Sequence, residues 1–202
     1  MADHQPSLVG DAGKYTLTKE TVMPRITPIT SKSDLPAEQR AAADAVVKVF
    51  GDIRGPFSML LHSPALAAKM LPLVPFMRDE CAVEEKLRFV AILAAAREHE
   101  AVYVWAAQVN RARKAGVRQE LVDLIRAKGD AARLPAEERE VVEYARQLIR
   151  KHRVDQSIFD ALKNRHGEKW LVELTAVLGY FAFVSGIANA FEIPAPAGGD
   201  KL

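Results

Sequence analysis

From Leu174 to Phe191 the chain carries no charged side chain, and the run is bracketed by Glu173 and Glu192. As a helix it is long enough to cross a bilayer, where about 20 apolar residues are needed. Its composition speaks against that use. Thr175, Gly179, Tyr180, Ser185, Gly186 and Asn189 interrupt the run, and no Lys or Arg lies close enough to its ends to orient it in a membrane. A helix apolar on every side is also what a buried central helix looks like. That solution requires other helices to surround it, so the rest of the chain must supply them.

It does. Helical grammar begins at SDLPAEQ, where Asp34 is suited to cap and Pro36 to the first turn, and Gly51 closes a helix with Ala42, Val46, Val49 and Phe50 on its apolar positions. Ser63 and Pro64 open a second helix, which Pro72 and Pro75 should kink or end. Val83, Leu87, Val90, Ala91 and Ala94 follow a helical period while Phe89, Ile92 and Leu93 fill the other side, so this helix is predicted to be central. Further helices are read over about 101–114, 118–128, 135–151, 155–166 and 169–190, with Gly116, Gly129 and Gly167 as stops. No segment alternates apolar and polar residues between turn signals, so no strands are expected. The fold class is all-α.

At 202 residues and 49% hydrophobic content, one helical domain is the expectation. It is placed at 34–194, after an extended arm at 1–33 punctuated by Pro6, Pro24 and Pro28, and before a flexible tail at 195–202. Lys and Arg number 28 against 26 Asp and Glu without a dense basic cluster, which excludes nucleic acid as the expected partner. The first residues have no basic start followed by an apolar run, so no signal peptide is read and the reading is soluble. Cys81 is the single cysteine, which removes any internal disulfide, CxxC pair or multi-cysteine metal site and favours the cytoplasm. Phosphate-binding glycine loops, nucleophile elbows and zinc spacings are not found.

The stretch AREHEAVYVWAAQVNRARKAGV, preceded by KLRFVAIL and GPFSMLLHSPALA and followed by LVELTAVLGYF and ANAFEIP, resembles the carboxymuconolactone decarboxylase and alkylhydroperoxidase D family over about residues 24–194. That resemblance implies an all-α bundle, assembled as trimers or hexamers, with a pocket near the subunit contacts. In the thiol branch of the family a cysteine pair, a histidine and an acidic residue relay protons; the matching positions here are Phe89, Ala101, Val104 and Gln108. None can do that chemistry. Cysteine-free members keep a carboxylate and a histidine, where this chain has Val104 and Gln108, and glutamine cannot shuttle a proton near neutrality.

The ionisable residues that remain near this stretch are the candidates. His99, between Glu98 and Glu100, shares a helical face with Tyr103 if the turn is continuous, and a histidine beside carboxylates suits acid–base work at neutral pH. His99, Glu98 and Tyr103 are therefore the catalytic candidates, the plainer role of His99 being a cap or surface residue. Arg97 suits a substrate carboxylate, because guanidinium forks match carboxylates, although such arginines more often bridge helices. Gln108 can orient a carbonyl or simply bond a neighbouring backbone. Trp105 can wall a pocket, with core packing its plainer role, and His62 resembles a pocket-edge position while equally suiting a packing role. Cys81, beside Asp79 and Glu80, is read as inert.

The leading functional expectation is an enzyme that uses no cofactor or metal, a lyase, isomerase or decarboxylase acting on a small carbonyl or carboxylate compound by proton transfer. The alternative is a degenerate oligomeric small-molecule-binding or scaffold protein. A thiol-dependent peroxidase stands third, since Cys81 would need an outside resolving thiol. Self-association as a homotrimer or homohexamer, with a dimer as the smaller option, is expected, with no nucleic acid and no membrane.

Overall fold

The stop at Gly51 is a left-handed cap (φ 86°) that closes α1 (Arg40–Phe50). The computed structural model describes residues 23–202, so most of the expected arm lies outside the described residues. The start of α1 differs from expectation. Asp34 ends a 3₁₀ turn over Lys32–Asp34, where its carboxylate accepts the backbone N–H of Thr30 at 2.9 Å and of Ser31 at 3.0 Å. With that side chain spent upstream and Leu35 extended before Pro36, the regular helix waits until Arg40.

Short helices follow: α2 (Pro56–Leu60), α3 (Pro64–Met70) and α4 (Leu73–Pro75), the last passing into a π-helical turn at Phe76–Glu80. Pro72 and Pro75 thus break the helix into short pieces, as their missing N–H groups require. The main bundle comprises α5 (Glu85–Glu98), α6 (Val102–Lys114), α7 (Gln119–Arg126), α8 (Ala136–Lys151), α9 (Gln156–His166) and α10 (Glu168–Ala190). No strand occurs among the described residues.

α5 is the centre. Every residue from Leu87 to Ala96 is buried, and the helix packs on α6, α8 and α10. Small alanines at 91 and 94–96 let those neighbours approach closely, while Leu87, Phe89, Ile92 and Leu93 fill the remaining space. Even Arg88 is buried, its guanidinium donating to the carbonyls of Val83 and Arg78 at 3.1 and 3.2 Å.

α10 is long and apolar enough by composition to cross a membrane. In this fold it is a core helix: Trp170, Leu171, Leu174, Val177, Leu178, Tyr180, Val184 and Ala188 are buried, and it packs on α2, α5, α6 and α9. Two apolar clusters result, the main one around α5 and a smaller one built by Ile29, Leu35 and helices α1–α3. Phe183 and Ile187 of α10 touch both.

Ion pairs fasten the ends of the bundle. Glu138 has a nearly buried side chain and accepts from Lys86 and Arg118, each at 2.6 Å, linking α5, the start of α7 and α8. Burial pushes its carboxyl up, but the hydrogen bonds from Lys86 and Arg118 outweigh that and hold it below its ordinary value. Trp170 donates to Glu84 at 2.8 Å and stacks on His166, with ring centroids 4.0 Å apart. The segment after Pro194, read from sequence as a flexible tail, lies on the body: Leu202 packs against the main cluster and Asp200 pairs with Arg113 and Arg126.

Candidate functional site

The catalytic candidates begin where α5 ends. His99 follows the last α5 residue, and its N–H still reaches the Ala95 carbonyl at 3.0 Å. Glu100 then turns left-handed (φ 51°), and the Ala101 N–H returns to the Ala96 carbonyl at 2.8 Å. This is a Schellman-type stop. It costs about 1 kcal/mol or more with a non-glycine residue in that conformation. It also sets α6 on a new axis.

The continuous turn that would bring His99 and Tyr103 onto one face is therefore absent. His99 lines a cavity of about 220 Å³ together with Leu148, Ile149 and His152 from the α8 end and Leu178, Gly179 and Ala182 of α10. Tyr103 is buried elsewhere, its ring so close to Gly55 that a Cβ there would collide with it. Burial raises the Tyr103 hydroxyl above its ordinary value, with nearby Arg54 pulling the other way and Asp52 reinforcing the rise.

Within the cavity His99 stands out. Its Nε2 is buried and has no hydrogen-bond partner among the described residues. Burial holds the imidazole below its ordinary value, against the opposing pull of the Glu98 charge, so the ring is neutral at pH 7. Its backbone carbonyl accepts from the Asn189 side chain at 2.7 Å, which fixes the His99 turn to α10. A neutral imidazole on the wall of a mostly apolar cavity is able to accept or donate a hydrogen bond or exchange one proton.

The other candidates have structural partners. Glu98 is almost wholly buried at its side chain and accepts two hydrogen bonds from Arg150, one at 2.6 Å, with Arg146 at 3.7 Å. It clamps α5 to α8. Arg97 donates to the Arg126 carbonyl at 2.5 Å and pairs with Glu100. Trp105 is fully buried in the main cluster, and Gln108 is half-buried on α6 with no side-chain hydrogen bond among the described residues. His62 bonds the Thr27 carbonyl at 2.9 Å and lines a separate surface groove of about 610 Å³ with Thr27–Thr30 and Asp34–Pro36.

Of the seven sequence candidates, only His99 lines the 220 Å³ cavity. Its histidine companion there, His152, escaped the sequence reading because RKHRVD reads as a solvated helix end. His152 ends α8 in the left-handed conformation (φ 59°), where glycine is the ordinary choice, so its identity does not mark the stop. Of the four positions that the resemblance matches to a proton relay, Phe89, Ala101 and Val104 are buried and Gln108 is half-buried. Cys81 is a free thiol at the end of the π-helical turn, on neither α5 nor α6. No cluster of three or more metal-ligating side chains occurs among the described residues.

No family model matches the sequence, and no curated protein does. Solved structures do match. A peroxidase-related protein from Ralstonia eutropha, described as an alkylhydroperoxidase AhpD core, superposes with TM-score 0.69 at 17% identity, covering 88% of this chain and 94% of that one. A putative antioxidant defence protein AhpD of Agrobacterium tumefaciens gives TM-score 0.62 at 14% identity, covering 71% and 99%. The debrominase Bmp8, in complex with 2,3,4-tribromopyrrole, gives TM-score 0.64 at 17% identity, covering 86% and 94%. The chain thus has the all-α fold of the alkylhydroperoxidase D and carboxymuconolactone decarboxylase type.

Proposed function

We propose that the protein is an enzyme of carboxymuconolactone decarboxylase type that moves a proton on a small, neutral carbonyl compound held in the His99 cavity. The observation that carries this reading is His99, whose buried Nε2 has no partner among the described residues, on the wall of a cavity whose other walls are mostly apolar. In the proposed step the neutral Nε2 takes a proton from the carbon beside the carbonyl. This leaves an imidazolium and an enolate, and the imidazolium, after exchange with solvent, returns a proton to the enolate carbon or, where the substrate is a β,γ-unsaturated ketone, to its γ carbon. His152, on the cavity wall and exposed to water, is suited to exchange protons with solvent. Glu98 and Tyr103 have no part in the step, and a carboxylate substrate is disfavoured because no Arg or Lys lines the cavity. The small ring bound by the debrominase is in keeping with a cavity of this size. A free Cys81 agrees with a reducing, cytoplasmic compartment.

A second reading, binding without turnover, is favoured by one observation: Val104 and Gln108 stand where cysteine-free relatives carry a carboxylate and a histidine. Deuterium exchange separates the two. A panel of small ketones and enones is incubated in D₂O with the protein and followed by NMR. Catalysed exchange beside the carbonyl, lost in His99→Gln while the fold persists, is the expected outcome. Line broadening of a panel compound without exchange selects the binding protein. Neither exchange nor broadening overturns the site.

A further inference from the structure

A second polar cluster gathers on the far side of α6, sharing no residue with the His99 cavity. The Asp200 carboxylate reaches back from the C-terminal segment to accept from Arg113 Nη2 at 2.6 Å and from Arg126 Nη2. The Arg126 guanidinium also lies over the Trp105 indole, 5.4 Å from the ring centroid. Gly199 permits the approach, since a Cβ there would stand 2.9 Å from the Ala106 methyl and 2.8 Å from the Pro196 carbonyl oxygen. The carboxyl of Asp200 is pushed up by burial but is carried below its ordinary value by Arg113 and Arg126.

Both guanidiniums also donate to other nearby side chains, Arg113 to Asn110 and Gln119 at 2.9 Å and Arg126 to Asp123 at 2.6 Å. Trp105 is fully buried, so its Nε1–H needs an acceptor inside the fold, and the buried Nε of Arg126 has no hydrogen-bond partner among the described residues. The indole N–H is directed at the Asp200 carboxylate and helps hold it ionised. Buried donors are almost always satisfied in native structures, so the Trp105 Nε1–H depends on the Asp200 carboxylate, and the Arg126 Nε is left without an acceptor among the described residues. Two guanidinium forks and an indole N–H beside an aromatic wall form a set of groups suited to a carboxylate on a planar body.

We propose that Arg113, Arg126 and Trp105 form a carboxylate-binding site that the chain's own tail occupies through Asp200, and that a free aromatic carboxylate displaces the tail to enter it. The tail is tethered, so it competes at an effective concentration on the order of millimolar. Intact protein therefore binds the free ligand weakly, and loss of the Asp200 charge unmasks the site.

Benzoate titrated into the full chain tests this, with the indole Nε1–H signal of Trp105, assigned through the neighbouring Ala106 methyl, as the NMR readout. Asp200→Asn is expected to show a saturable shift at benzoate concentrations about tenfold or more below those needed by the wild type. Arg113→Lys added to Asp200→Asn keeps the charge but loses the fork, and is expected to weaken binding again. Uncharged benzamide is expected to leave the signal in place. Equal affinity in wild type and Asp200→Asn, or no saturation in a folded Asp200→Asn protein, overturns the proposal.

Discussion

The carboxylate of Glu98 accepts a two-pronged hydrogen bond from Arg150, so the C-terminal ends of α5 and α8 are locked together beside the His99 cavity. Sequence proximity to His99 suggested a chemical partner; the geometry makes Glu98 a clamp. Glu98→Gln leaves the fork half-satisfied around a buried side chain and is expected to cost about 1–3 kcal/mol. Urea unfolding measures it. Proton exchange catalysed by His99 should persist under conditions where this variant is folded.

Stability should depend on pH through His99. Its folded-state value lies below the ordinary 6.5, so just below that pH the unfolded chain binds more protons than the folded one. Stability is then complete above about pH 6.5 and falls as the pH drops through that value. Glu138, held below its ordinary 4.5, adds its own loss only at lower pH. Denaturant titrations at pH 7.5 and 5.5 should show wild type weakening and His99→Gln changing less. Equal weakening in both would remove His99 as the source.

Gly55→Ala is expected to destabilise the fold by about 2 kcal/mol or more, because the new methyl meets the Tyr103 ring and the backbone there is left-handed. Truncating the ring with Tyr103→Leu should recover the steric part and leave the backbone part, which a double-mutant cycle of thermal unfolding would separate.

Among the described residues, one face of α10 is left uncovered. Val172 is 67% exposed, and Ala176, Gly179 and Gly186 extend the same uncharged face. Uncovered apolar helix surface of this kind favours association. Light scattering at micromolar concentration is expected to report an oligomer, and Val172→Glu with Ala176→Glu to lower its mass. A monomeric wild type would count against self-association.

Helix positions were readable from the chain because each is written locally, in periodic apolar residues and in stops such as Gly51, Gly116 and Gly167. The central place of α5 was legible for the same reason, since apolar residues on all sides leave no face for water. What failed was the assumption of a straight path from His99 to Tyr103. Glu100 adopts a left-handed conformation that its identity does not advertise, and that single residue sends the two side chains to opposite neighbours. His152 was missed because joining it to His99 depends on α8 and α10 meeting α5, a long-range relation that no local pattern encodes. Asp200 escaped notice likewise, because its partners lie 74 and 87 positions earlier.

The contact of Phe183 and Ile187 with both apolar clusters has a consequence for biosynthesis. Neither cluster is fully covered until α10 has left the ribosome, so the surfaces of α2, α5, α6 and α9 that it packs on emerge open. Nascent chains stalled before residue 180 should therefore be held by chaperones and cut readily by proteases, with protection arriving abruptly once α10 clears the exit tunnel.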